Sequence, residues 1–249
     1  MRKLIYIVCM VLLASCNSEN ASDCFQTTGA VVQEEVSLDA FDKILVNRDV
    51  ELIVKEGAEQ KVVIETGKNL LNDVEAVVLD GKLILSDNNN CNFVRDYGVT
   101  KVYVTSPNIT EIRSSTQYDI SSDGVLTYPS LTILSEDYNA PDTFSVGNFR
   151  LQINNTSFRV VFNNLSNCYV SGSTTNLNVT FASGDSRFEG RNLVAQKVTI
   201  WNRSSNDMIL NPIQEITGKI SGTGNVICVN HPPIVNVEQQ YKGRLIFEN

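Results

Sequence analysis

Very few residues of this chain could do acid–base chemistry. Among 249 residues there is one histidine, His231, standing before Pro232-Pro233 with no serine or cysteine nucleophile motif around it. A nucleophilic triad needs a hydroxyl or thiol within reach of an oriented imidazole, so His231 reads as an incidental loop residue. Asp185 and Asp207 are the other option. Placed on neighbouring coils, they would make the paired carboxylates with which glycosidases protonate a leaving group and activate water. Both stand in Ser/Gly/Asn corners, however, where an aspartate more often caps a turn.

Binding chemistry has more candidates. Gly222-Thr223-Gly224-Asn225 faintly resembles a glycine-rich calcium loop, but such loops repeat as nonapeptides with a regular aspartate, which is missing here. No lysine follows these glycines and no strand-turn-helix context surrounds them, so they are not a phosphate cradle either. No two cysteines have CxxC spacing, which argues against zinc. No metal, cofactor or catalytic residue is therefore assigned. The aromatic residues Tyr97, Tyr118, Tyr128, Tyr138 and Trp201 include several near turns, where exposed rings could stack on pyranose faces. Trp201 follows Val198-Thr199-Ile200, so with Val198 and Ile200 inward the alternation turns its ring outward. Packing beneath a neighbouring loop is the plainer alternative.

The elements that must position these residues are strands. From Gly29 onward almost every ordered segment combines β-branched and aromatic residues with period-two alternation, and helical periodicity is nearly absent. Val50 to Val54, the turn Glu56-Gly57 and Val62 to Glu65 read as an antiparallel hairpin. Asp80-Gly81 between Ala76–Leu79 and Leu83–Leu85 is a stronger hairpin signal. Asn69 to Val74 reads as one short helical turn, with Asn69 able to cap it. In the second half, turn clusters return at intervals of roughly twenty residues, each flanked by short apolar alternations. The corners fall at 114–116, 135–137, 154–156, 183–185, 204–207, 222–225 and 242–243. The interval from Asn155 to Gly184 is nearer thirty, and Ser171-Gly172-Ser173 within it reads as an additional bend. These corners predict stacked strands, a continuous body whose ends must be covered.

The chain opens with Met1-Arg2-Lys3, an apolar run from Leu4 to Leu13, and Ala14-Ser15-Cys16. This is a secretory signal, too short to remain as a transmembrane helix, which needs about 20 apolar residues. Leu13-Ala14-Ser15-Cys16 resembles a bacterial lipobox, which would make Cys16 the acylated first residue of the mature chain and a membrane anchor. The alternative is an ordinary signal peptide with a chance cysteine. Removing residues 1–15 takes away two bases and no acid, so the formal charge moves from −8 to −10. Such a surface repels nucleic acid and anionic headgroups, and no basic stripe offsets it, so no nucleic-acid partner is expected. Residues 16–28 are polar and without periodicity, a flexible tether. The 42% hydrophobic content suffices for a core, and no Pro- or Gly-rich linker divides the remainder. One domain is expected over 29–249, with capping strands in 29–105 and repeats in 106–249.

Of the remaining cysteines, Cys168 and Cys228 sit in apolar strand-like runs and read as small buried hydrophobes. Cys24 and Cys91 lie in polar sequence and could bridge the tether to the body in an oxidising compartment.

One set of residues resembles a known family. Phe41-Asp42-Lys43-Ile44, Val50 to Val54, Gly57, Val62 to Glu65, Leu70-Leu71, Val74 and Asp80-Gly81-Lys82-Leu83-Ile84-Leu85 are similar to the opening of the GIN-domain proteins (DUF2807), described as auto-transporter adhesin heads. Ser183-Gly184-Asp185, Ile220 to Asn225 and Tyr241-Lys242-Gly243 match that family's recurring glycine turns, and the resemblance spans residues 36–249. It departs at 114–117, 135–137 and 154–156, where the glycines are replaced. The resemblance implies an all-β, right-handed parallel β-helix-like solenoid with a hairpin-rich N-terminal portion. It further implies a lipid-anchored protein of a Gram-negative envelope, at the outer membrane, facing either the surface or the periplasm. No enzyme activity is implied, and the family brings no catalytic residues. The expected function is cell adhesion or binding of a surface glycan or protein. The alternatives are a periplasmic structural or sensing module that binds an envelope protein and, behind it, a β-helix polysaccharide-processing enzyme.

Overall fold

The computed structural model describes residues 23–248 except 90 and 139. Among them the regular elements are strands, with two 3₁₀ turns at Asp23–Phe25 and Leu71–Asp73. In chain order the strands are β1 (Val31–Val36), β2 (Lys43–Val46), β3 (Val50–Glu56), β4 (Lys61–Gly67), β5 (Val74–Leu79), β6 (Lys82–Asp87), β7 (Thr100–Ser106), β8 (Glu111–Ser114) and β9 (Ile120–Leu126). There follow β10 (Ser130–Ser135), β11 (Asn148–Phe162), β12 (Asn167–Phe181), β13 (Phe188–Asn202), β14 (Met208–Ile220), β15 (Val226–Cys228), β16 (Ile234–Gln239) and β17 (Leu245–Phe247). All join one 17-stranded sheet around one core.

Most pairings are parallel, and each residue of the later strands meets its partner 17 to 21 positions on. The register aligns core residues in long columns. One runs Val102, Leu52, Ile120, Phe149, Cys168, Phe188, Met208, Val226, Leu245. The other runs Leu83, Ile44, Ile112, Ile133, Val160, Val179, Ile200, Gly218, Val237. Each spans nine strands, about 38 Å at 4.8 Å per step. Parallel strands need a connection that returns to the same edge; tight corners join the successive strands, and β12 and β14 each contain a glycine at positive φ, Gly172 at 111° and Gly218 at 124°.

The corners stack too. Asp185 N–H donates to Asn164 O at 2.8 Å, Ser205 N–H to Gly184 O at 3.0 Å, Gly224 N–H to Ser204 O at 3.1 Å and Gly243 N–H to Gly222 O at 3.0 Å. This series replaces the expected corner at 154–156, which lies inside β11. The corner that precedes 183–185 is Asn163-Asn164, and counting from it restores a twenty-residue interval. Asn155 instead pairs with Thr174, and Ser171-Gly172-Ser173 also lies inside a strand, β12, with Gly172 at a φ of 111°. The long interval thus came from counting a position inside a strand as a corner.

The expected 50–65 hairpin is also corrected. β7 lies between its arms, parallel to β3 and antiparallel to β4, so the two strands never pair. Alternation marks each as a half-buried strand but does not name its neighbour. The Asp80-Gly81 hairpin is present, with β5 antiparallel to β6 and both turn residues at positive φ, 50° and 72°. The helical turn is present at Leu71–Asp73, but its N-cap residue is Leu70, without a side-chain cap bond. Asn69 turns away to donate to Thr27 O at 2.9 Å. Within 29–105, antiparallel β1, β4 and β5 edge the first rung, while β2, β3, β6 and β7 are members of the parallel ladder itself.

Cys24 and Cys91 are joined by a disulfide. Cys168 and Cys228 are free and buried. Burial pushes the Cys228 thiol up to about 12 and raises that of Cys168 as well, so both remain protonated at neutral pH.

Candidate binding groove

Every sequence candidate except Cys16 falls on described residues; Cys16, the predicted lipidation site, lies outside them. Asp185 and Asp207 are both engaged in corner bonds. Asp185 Oδ1 accepts from Ser205 Oγ at 2.6 Å, and Asp207 Oδ1 accepts the Asn225 N–H at 2.7 Å. They tie successive turns together, as turn aspartates do. The His231 ring packs on Phe247 with centroids 4.2 Å apart, its Nδ1 3.2 Å from Pro232 O. Among the described residues no group of three His, Cys, Asp or Glu could hold a metal ion. No helix among them is long and apolar enough to cross a membrane.

The aromatic candidates separate. Tyr97 and Tyr138 are 76% and 86% exposed. Tyr128 is fully buried, its hydroxyl donating to Ser106 O at 3.1 Å, so it is a core residue and not a contact residue. Burial, reinforced by Glu56, raises its pKa. Tyr118 is half-buried against Gly98. Trp201 points outward as alternation requires, beside Lys219 in the ladder. Lys219 Nζ sits 4.6 Å from its ring centre and Arg203 Cζ 5.8 Å from it, so this indole serves its own cations rather than a free stacking platform.

The arrangement best suited to a ligand was not among these candidates. On the outer side of the first halves of β11, β12 and β13, the outward column Ser121, Arg150, Tyr169, Glu189 forms the floor of an open groove of about 410 Å³. The Arg150 guanidinium lies 4.5 Å from the Tyr169 ring centre, and its Nε donates to Asp119 Oδ2 at 2.5 Å. Asp119 also accepts from Asn148 Nδ2 at 3.0 Å. Arg187 Nη2 donates to Glu189 Oε2 at 2.7 Å. Each charge on this floor has an opposite partner, and the planar guanidinium is fixed between a carboxylate and an aromatic face.

Bulges build the walls. Between Arg150 and Gln152 the β9 partner runs from Ser121 to Val125, so β9 carries two extra residues there. Between Glu189 and Val194, β13 carries three more residues than β14. Bulges re-aim side chains and are common beside functional sites. Here they bring Ser122 and Asn192 to the rim with Gln152 and Ser171. Ser122 Oγ accepts the Gln152 N–H at 2.9 Å, fixing one wall.

Hydrogen-bonding side chains around a stacked Arg–Tyr pair can recognise hydroxyl-rich or amide-rich ligands. The carboxylates are held in ion pairs, and no nucleophile–base pair lines the groove, so the geometry suits binding. Arg150 and Tyr169 stand 19 residues apart, one rung, which was the available sequence signal. Nothing in the sequence marked the bulges.

A model of the family described as "Putative auto-transporter adhesin, head GIN domain" matches residues 40–232. A putative adhesin from Bacteroides fragilis has a similar structure, with a TM-score of 0.78 at 18% identity, over 89% of this chain and 99% of that one. A putative adhesin from Parabacteroides merdae is similar with a TM-score of 0.59 at 14% identity, over 90% and 98%. A putative lipid binding protein from Parabacteroides distasonis gives 0.59 at 13% identity, over 88% and 98%. At these identities the likeness is one of fold. No curated protein matches the chain.

Proposed function

This chain belongs to the GIN-domain family, and from that premise we propose that it is a lipid-anchored, non-enzymatic binding protein of a Gram-negative envelope. It acts in adhesion or surface recognition by taking a glycan or extended polar ligand into the Arg150–Tyr169 groove. The observation that carries this reading is the groove itself: a braced guanidinium–phenol floor and polar rim on a rigid ladder, with its carboxylates already paired. We infer also that the ladder winds as a right-handed parallel β-helix-like solenoid, which the recurring 17–21-residue return and the stacked corners support. Such a body holds a binding face stiffly away from the membrane.

The anchor is Cys16 and the outer membrane the site of attachment; the expected tether 16–28 shortens to the residues before Asp23, because Asp23–Phe25 forms a 3₁₀ turn and Cys24, Gln26, Thr27 and Thr28 are bonded to the body. The lipobox-like Leu13-Ala14-Ser15-Cys16 supports this assignment. Cys16→Ala is expected to move the protein from the membrane fraction to the soluble envelope fraction. Membrane partitioning that survives the substitution would overturn the anchor. Protease shaving of intact and lysed cells, following an epitope after Asn249, separates the two faces. Cleavage on intact cells supports surface adhesion, whereas protection until lysis would turn the groove toward a periplasmic partner.

Arg150→Ala should weaken ligand binding about tenfold or more, since a charged hydrogen-bonding group and its stacking are lost together. Tyr169→Ala should act similarly. Both side chains lie on the outer face, so unfolding temperatures should change little.

A further inference from the structure

We propose that the loop between β6 and β7 is a membrane seat, which rests the domain on the lipid headgroups of the bilayer that holds acylated Cys16. This rests on the anchor assigned above and extends it from a covalent tether to an oriented contact.

The observation is a cluster of large apolar side chains held out in water. Phe93 is 73% exposed, Tyr97 76%, Phe25 53% and Val94 51%. Single exposed apolar residues need no explanation, but three of them within five residues of one loop, with a fourth ring packed against the first, do. The Phe25 and Phe93 rings lie 5.8 Å apart. Both remain more than half exposed despite that contact.

The loop is also braced far more than exposure alone would require. The Cys24–Cys91 disulfide closes its base. The Phe93 N–H donates to Cys24 O at 2.9 Å. Asn92 Oδ1 accepts the N–H groups of Val94 and Arg95 at 3.2 and 2.9 Å, and its Nδ2 donates to Arg95 O at 2.7 Å. The Arg95 guanidinium reaches across to Gln26 O at 3.2 Å and Asn89 O at 3.1 Å. A polar loop this strongly braced has no need of phenylalanine at its tip for stability. The bracing instead fixes where Phe25, Phe93 and Tyr97 point.

Chain length identifies the occupant. Cys16 precedes Cys24 by eight residues, at most about 29 Å of extended chain. The loop is therefore never far from the lipid in which Cys16 is fixed. It also belongs to the first rung, β6 and β7, eight steps from β16 and β17. Aromatic residues settle at the level of the headgroups, and an apolar face there sinks about 5–10 Å into the headgroup–acyl boundary. The mature charge of −10 makes zwitterionic headgroups the suitable surface.

The test uses the full acylated protein in phosphatidylethanolamine–phosphatidylcholine vesicles. Trp201 is the only tryptophan, so Trp201→Phe gives a dark background. Into it are placed Phe93→Trp or, as a control at the far end of the ladder, Tyr241→Trp; Tyr241 is 55% exposed. Both substitutions exchange exposed rings and leave the core intact. Acyl-brominated lipid is expected to quench the tryptophan at 93, with a blue shift of its emission, and to leave that at 241 unchanged. Vesicle flotation without quenching at 93 would overturn the seat and leave the anchor standing. Failure of the acylated protein to float would overturn the anchor and the seat together. Equal quenching at both positions would contradict the proposed orientation.

Discussion

Phe162→Ala is expected to lower the free energy of unfolding by about 3–5 kcal/mol. Phe162 is fully buried. Its ring stacks on Phe149 at 5.4 Å and on Phe181 at 5.6 Å, with interplanar angles of 19° and 8°. Phe181 is its partner on the next rung, whereas Phe149 belongs to the same strand, so the ring is held both along the ladder and within its own rung. Truncation removes the transfer free energy of the ring and opens a cavity between two rings held by backbone pairing on both sides. It also ends two aromatic contacts, each worth about 0.5–1.5 kcal/mol beyond burial. Rungs locked by parallel hydrogen bonds cannot close upon the space. A fall of about 6–20 °C in Tm follows for a chain of this size. Denaturant unfolding read by circular dichroism checks it, with Phe162→Leu as a milder comparison. A loss below about 1 kcal/mol would mean that the stack contributes little beyond filling space.

Gly184→Val should cost about 3 kcal/mol or more, for two separable reasons. Gly184 has φ of +86°, a region that β-branched residues avoid. A Cβ there would also stand 2.2 Å from Asn164 O, the carbonyl that receives the Asp185 N–H from the next corner. The corner must open, and the stacking bond opens with it. Gly124→Ala isolates the backbone term, because Gly124 has φ of +90° and nothing within 4 Å of its Cβ position. Gly224→Ala probes the close approach, its Cβ falling 1.9 Å from Asn206 O. Thermal unfolding of the three variants should rank Gly184→Val as the most damaging. An unaltered Tm for Gly184→Val would contradict the tight stacking of corners.

Much of this architecture was legible because its signals are local. Alternation identified the strands, Asp80-Gly81 identified its hairpin, and the glycine corners after residue 180 set the period. Cys24 and Cys91 stood out as polar-loop cysteines, and their bridge is present. What escaped was non-local. The Asn163-Asn164 corner has no glycine, and its turn is held by bonds from other rungs: Ser183 Oγ and the Asp185 N–H both donate to its carbonyls. The insertion of β7 between β3 and β4 depends on which edges meet, and alternation carries no information on that. Alternation puts Trp201 on the outer side of β13, but its ring is half-buried against two cations, Arg203 beside it and Lys219 a rung away, which the sequence did not disclose. The groove escaped for the same reason. Arg150 and Tyr169 become neighbours only through the register, and the residues that wall them in are bulges invisible to period-two reading.

Recognition through the groove is tested most directly on an array of bacterial and host glycans, probed with the mature chain and with Arg150→Ala/Tyr169→Ala. Lys197→Ala, which changes an outward residue on the second half of β13, is the control. The expected result is a defined set of bound glycans that is lost in the double variant and kept in the control. Glycan binding that is equal in all three proteins would contradict the assignment of the Arg150–Tyr169 groove, and an array without any bound glycan would contradict glycan recognition itself.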